Sequence, residues 1–181
     1  MNMHFDTSIS YIHEKMAAVL EGVDEKSVER AIQLFMKKPR VFVYGTGRSG
    51  LVSRAFAIRL VHLGFQTFVI GETITAPVQK DDLVVLVSGS GETIPVAMTA
   101  DIARRLGAQI ISVTADPGSH IGRAADVLLH LDVSGGNGDL APLGTLFEAS
   151  AWVVFDGIIA ELMDRTGEDE DNMRERHATL E

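Results

Sequence analysis

Cysteine is missing altogether from the chain, which excludes disulfides, thiolate nucleophiles and zinc sites built on Cys. That absence suits a reducing compartment, and a cytoplasmic location is the expectation. Positive charge is also in short supply. Sixteen Lys and Arg stand against 25 Asp and Glu, a net charge of −9, whereas a broad nucleic-acid footprint needs clustered Lys and Arg. A local basic pocket for one small phosphate stays compatible with this balance, because whole-chain charge says little about a single cleft. No uncharged apolar run reaches the length of a membrane span; the longest, around AWVVF, is bracketed by Glu148 and Asp156. The opening MNMHFDTSISYIHEKM lacks a basic stretch followed by an apolar core, so it does not read as a signal peptide. The six histidines, at 4, 13, 62, 120, 130 and 177, show no paired ligand spacing. Neither a metal nor an organic cofactor is expected. Internal repeats are absent too.

What is present reads as one α/β domain over residues 1–181. At this length a chain buries roughly two thirds of its unfolded surface. Ile9, Ile12, Met16, Val19 and Leu20 recur at helical spacing over 6–20, and Val28, Ala31, Ile32, Leu34 and Phe35 do so over 24–37. Pro39 closes the second of these helices, so residues 1–38 form a helical pair packed on the rest of the domain. Then the period changes. VFVY (41–44), QTFVI (66–70), LVVLV (83–87), QIISV (109–113) and VLLHL (127–131) each read as a buried strand. Helical stretches at about 49–64 and 92–106 separate them, and 115–125 reads as a turn with a short helix. Alternating strand and helix predicts a three-layer αβα sandwich around a five-stranded parallel sheet, in the flavodoxin-like order 2-1-3-4-5.

The segment DVSGGNGDL (132–140) is Gly-rich and polar, hence a loop. A long helix comes next, with Pro142 in its first turn and Gly167 near its end. Its middle, AWVVFDGIIAELM, is apolar almost all the way round. Such a helix needs cover on both sides, from its own core and either from a second subunit, the favoured reading, or from further elements of the same chain.

Two strand–loop–helix junctions carry the chemistry. Gly45, Gly47 and Gly50 of GTGRSG fit the dinucleotide spacing, with Glu72 where a ribose-binding acid would sit. A nicotinamide enzyme, however, needs a second mononucleotide-binding half, and 181 residues leave little room. A Walker loop is excluded because no Lys-Ser or Lys-Thr pair follows the glycines. The second junction, SGSGET (88–93), leaves LVVLV and opens another helix. Parallel strands gather their C-terminal ends on one edge, so both loops should face one crevice at the switch point. Helix starts offer unpaired N–H groups and a positive dipole end. The hydroxyls of Ser88, Ser90 and Thr93 add fixed donors, Gly47 and Gly89 allow close approach of the backbone, and Arg48 stands nearby. One phosphate, rather than a dinucleotide, is the expected ligand.

GTGRS followed by SGSGET resembles the sugar isomerase (SIS) family, whose members bind phosphosugars at these loops. FAIRLVHLGF, VIGETITAP, LVSGSGET, LAPLGTLFE and the closing RHATLE resemble more closely its 6-phospho-3-hexuloisomerases. This resemblance implies interconversion of D-arabino-hex-3-ulose 6-phosphate and fructose 6-phosphate in the ribulose monophosphate pathway. It implies that Ser49, Ser88, Ser90 and Thr93 grip the phosphate. It also implies a homotetramer in which the tail, 168–181, completes a neighbouring active site. The alternatives are a non-catalytic phosphosugar-binding module, or an isomerase of another phosphosugar such as arabinose 5-phosphate. No helix-turn-helix with a basic face accompanies the sheet, as a sensor would require.

Moving a carbonyl from C3 to C2 through a cis-enediolate needs a base for carbon and an acid near the oxygens. Glu148, on an otherwise apolar helix, is the candidate base. His177 is the candidate acid, mainly because RHATLE matches the family, and the exchange of roles between the two stays open. Glu72 should face the crevice, where it either meets sugar hydroxyls or merely caps a turn, and Arg48 should pair with substrate or with an acid. His62 shares a helix stripe with Leu51, Ala55 and Ile58, which favours a buried, hydrogen-bonded histidine over a functional one.

Overall fold

The computed structural model describes residues 3–179; Leu180 and Glu181 of the closing RHATLE lie outside them. Two helices come first, α1 (His4–Glu21) and α2 (Glu25–Lys37), the latter capped by Asp24, whose carboxylate accepts the Ser27 N–H at 2.9 Å. After them come β1 (Arg40–Gly45), α3 (Gly47–His62), β2 (Gln66–Val69), β3 (Leu83–Val87), α4 (Ile94–Leu106) and β4 (Gln109–Thr114). The short α5 (His120–Ala124), β5 (Val127–His130), α6 (Thr145–Thr166) and α7 (Glu170–Glu175) complete the chain.

All neighbouring strands pair in parallel, in the order β2-β1-β3-β4-β5. The chain steps from β1 outward to β2, then back across to β3, so the switch point lies between β1 and β3. Register there sets Gly45 opposite Val87, which brings both junction loops to adjacent positions on one edge. β3 is central and every residue in it is buried, which is why LVVLV is uninterrupted by polar residues.

Helices cover both faces. Phe35, Phe56, Leu60, Phe155 and Ile158 lie in the core beneath α2, α3 and α6, while Phe42, Ile110 and Ile121 lie in the core on the α4 and α5 side. Phe56 and Phe155 stack at 4.1 Å between centroids and 13° between planes. Their stacking fastens α3 alongside α6, worth about 0.5–1.5 kcal/mol beyond the area buried. The three-layer sandwich expected from the strand–helix alternation is therefore the fold.

One boundary differs from the sequence-based expectation. Pro142 does not sit in the first turn of α6: its carbonyl accepts both the N–H of Thr145, at 3.2 Å, and the Thr145 hydroxyl, at 2.7 Å. That turn precedes the helix instead of belonging to it. Within the chain α6 is covered on one side only. Leu146, Phe147, Ala151, Phe155, Ile158 and Leu162 are buried, whereas Trp152 and Val153 are 48% and 40% exposed.

The tail folds back on its own protomer. Met173 packs into the α3–α6 core, Arg176 donates to the His62 carbonyl at 3.0 Å, and its fork meets Glu168 at 2.8 and 2.9 Å. That guanidinium holds the Glu168 carboxyl below the ordinary carboxylate range. Deleting residues 172–181 should therefore lower the melting temperature by roughly 4–10 °C, from the lost methionine burial alone. Calorimetry reads this directly, and an unchanged transition would mean that the tail is not docked.

Candidate active site

The β1–α3 junction is built on close backbone contact. A Cβ at Gly50 would lie 2.7 Å from the Gly45 carbonyl oxygen, and one at Gly45 would lie 2.9 Å from that of Val87. Only glycine at both positions lets strand end, helix start and the neighbouring strand meet. Gly47, Arg48 and Ser49 then form the first turn of α3. Its N-cap, Thr46, makes no side-chain cap bond, and the turn carries no acid. Thr93 and the first turn of α4 repeat the pattern. Among the described helices, only these two begin with neither a capping side chain nor a first-turn acid. Two helix starts whose N–H groups and dipole ends are left uncompensated flank one switch point, an arrangement suited to an anion.

The 88–93 loop is internally braced. Ser88 is buried, its Oγ accepts the Gly91 N–H at 3.1 Å and lies 3.0 Å from Thr93 Oγ1. Ser90 is exposed, and its Oγ accepts the Glu92 N–H at 3.3 Å. From behind, the Thr114 hydroxyl and the Ala115 N–H donate to the Gly89 carbonyl at 3.2 and 3.0 Å, and the Ile121 N–H donates to that of Gly91 at 3.2 Å. Ser88→Ala with Ser90→Ala should raise KM for a phosphosugar roughly ten- to a hundredfold, the loss of hydrogen bonds to a charged group. Unchanged steady-state kinetics would contradict phosphate binding at this loop.

α6 meets both loops at its start. A Cβ at Gly89 would lie 3.2 Å from the Phe147 ring, and the Glu148 carboxylate accepts the Nε–H of Arg48. Glu148 keeps 11% of its side chain exposed, Arg48 66%. Gly47, Arg48, Ser49, Ser88, Gly89, Ser90, Thr93 and Glu148 are thus gathered at one corner.

The remaining candidates lie elsewhere. Glu72 does not face the crevice. β2 is an edge strand, and the carboxylate beyond its end pairs with Arg54 of α3 at 2.9 Å, in a groove along that edge. His62 is buried, as its stripe predicts, and its ring lies against that of His177, tilted by 30° with centroids 4.9 Å apart. It lies at the far end of α3 from Arg48, about 21 Å away at 1.5 Å per residue. One protomer therefore does not bring His177 to Glu148.

Between these ends runs a feature that sequence reasoning missed. α3 and α6 lie side by side in the same direction, Arg48 meeting Glu148 and Phe56 meeting Phe155. The groove between them, about 290 Å³, is lined by Ile58, Arg59, His62, Trp152, Asp156 and His177, among others. Trp152 and Asp156 stand four and eight residues after Glu148 on the same helix stripe, a spacing that could have revealed them. Among the described residues no cluster of three or more His, Asp or Glu could hold a metal ion, and no helix is long and apolar enough to cross a membrane.

The SIS domain model matches residues 34–143, more than half of the chain and both junction loops. The chain belongs to the SIS domain family. Among SIS-domain relatives, the 3-hexulose-6-phosphate isomerase of Bacillus subtilis is 38% identical over 94% of this chain and 97% of the relative. The protein of the same name from Methanocaldococcus jannaschii is 37% identical over 86% and 85%. A crystal structure of a Methanococcus jannaschii protein, for which a 3-hexulose-6-phosphate isomerase function was inferred, superposes with a TM-score of 0.87. It is 34% identical and matches 96% of this chain and 98% of that one.

Proposed function

We propose that this SIS-domain chain is an isomerase that interconverts D-arabino-hex-3-ulose 6-phosphate and fructose 6-phosphate. One observation carries the reading. The Glu148 carboxylate stands where two uncompensated helix starts meet, so a substrate anchored by its phosphate extends its sugar past a base. The relatives at 37% and 38% identity bear the name of that activity.

The reaction follows from the groups available. Glu148 takes the proton from C2, the C–H electron pair becomes the C2=C3 bond of a cis-enediolate, and charge gathers on the oxygen at C3. The same carboxylate returns a proton to C3 as the C2 carbonyl forms. The hydroxyl proton on O2 meanwhile passes to O3, a transfer we assign to His177. Positioned proton donors and acceptors of this kind contribute about 10²–10⁴-fold each.

His177 reaches that site from a neighbouring protomer. A second copy laid antiparallel across the α3–α6 groove would set its His62 and His177 over this chain's Arg48 and Glu148. Leu51, Ile58 and Trp152, 63%, 52% and 48% exposed, supply an apolar face for that contact. On the opposite layer Ile94, Met98, Ile102 and Leu106 form an exposed ridge at intervals of four along α4. Two separate apolar faces support a tetramer of dihedral symmetry. A cytoplasmic role in formaldehyde fixation, or in pentose phosphate supply when run in reverse, accords with the substrate pair.

The deciding experiment offers purified protein fructose 6-phosphate in deuterated water. Deuterium at C3 of fructose 6-phosphate and at C2 of an accumulating 3-ketose is the expected result; exchange at C1, or the appearance of neither label nor 3-ketose, would refute the substrate assignment.

A further inference from the structure

Arg48 occupies a position that serves two anions. It is the second residue of α3, inside the loop that faces the phosphate, and its head group is largely open to solvent. In this structure that head group lies on Glu148, whose carboxylate is covered to all but 11%. The carboxylate oxygen that accepts the guanidinium N–H has its lone pair engaged there and is blocked from a carbon-bound proton. A sugar phosphate brings a dianion to the same loop, and guanidinium forks bind phosphate oxygens in bidentate fashion.

We propose that Arg48 changes partner in each turnover. It holds Glu148 until the substrate phosphate draws it away, and the released carboxylate then receives the proton from carbon. The inference rests on the phosphosugar isomerase reading above. Arg48 is on this account a positioning residue that couples the two ends of the substrate: the base is unmasked only when the phosphate is seated. A sugar lacking phosphate leaves the ion pair intact, so it is rejected at the chemical step as well as at binding.

Competition for one guanidinium has a sign that can be measured. Inorganic phosphate is titrated by calorimetry into the full-length protein, Glu148→Gln, Arg48→Ala and the double variant, with melting curves confirming that each is folded. Glu148→Gln should tighten phosphate binding in the Arg48 background about two- to fivefold more than in the Arg48→Ala background, the fold-change of an exposed ion pair. In steady-state assays with fructose 6-phosphate, the loss in Arg48→Ala should appear chiefly in KM, because its carboxylate is already unmasked once substrate is held. Equal tightening in both backgrounds, or weaker binding in Glu148→Gln, would overturn the exchange. So would a fall in kcat that exceeds the rise in KM, which would mean that Arg48 stays on Glu148 throughout. Wild-type turnover in deuterated water reports separately: if it proceeds while the phosphate cycle fails, the exchange falls and the isomerase assignment stands.

Discussion

Glu148→Gln is expected to lower kcat by about 10²–10⁴-fold while KM stays within a few-fold. The amide preserves the shape and hydrogen-bonding reach of the carboxylate but cannot accept a proton from carbon. Phosphate anchoring should survive, because the amides and hydroxyls of the 88–93 loop are braced by Thr114, Ala115 and Ile121 and not by Glu148. Stability should change little, since its partner Arg48 is largely solvent-exposed and can be hydrated once released. The measurement is a steady-state assay with fructose 6-phosphate beside a melting curve. A variant that keeps more than a tenth of wild-type turnover would remove Glu148 from the role of base.

Mixing two inactive variants should restore activity. If Glu148 of one protomer works with His177 of its neighbour, a pair joining Glu148→Gln to His177→Ala contains one intact site and one doubly impaired site. Random pairing makes half of the pairs mixed, so specific activity should recover to about a quarter of wild type after exchange of subunits. Each variant alone should stay near its own low baseline. Recovery requires no new contacts, only that the groups of one site come from two chains. If mixtures never exceed the average of their parents, the site is completed within a protomer, and the tail must move about 20 Å along α3 to do so.

Much of this architecture is legible in the sequence. LVVLV reads as a strand buried on both faces because β3 is the middle of the sheet, and its bounds, 83–87, match. The two junction loops converge because their strands are neighbours, a consequence of the order 2-1-3-4-5. Errors arise where a tertiary contact overrides a local rule. Glu72 comes after a strand's C-terminal end, the usual address of a ligand group, yet β2 is the sheet edge and Arg54 claims the carboxylate. α7 is hard to see in a charged stretch because a single residue, Met173, anchors it to the core. The α6 start slips by three residues because the Pro142 carbonyl is taken up by a turn. The separation of Glu148 from His177 is not readable from one chain, since it depends on how copies meet.

The bracing of the 88–93 loop has an evolutionary corollary. With serine hydroxyl, glycine turn and the neighbouring β4–α5 connection locked together, the loop has almost no latitude. Sequence variation is better tolerated where side chains meet solvent, as at Ile74 and Leu143, 91% and 101% exposed. Substitution at those two positions should leave the bracing of the 88–93 loop untouched.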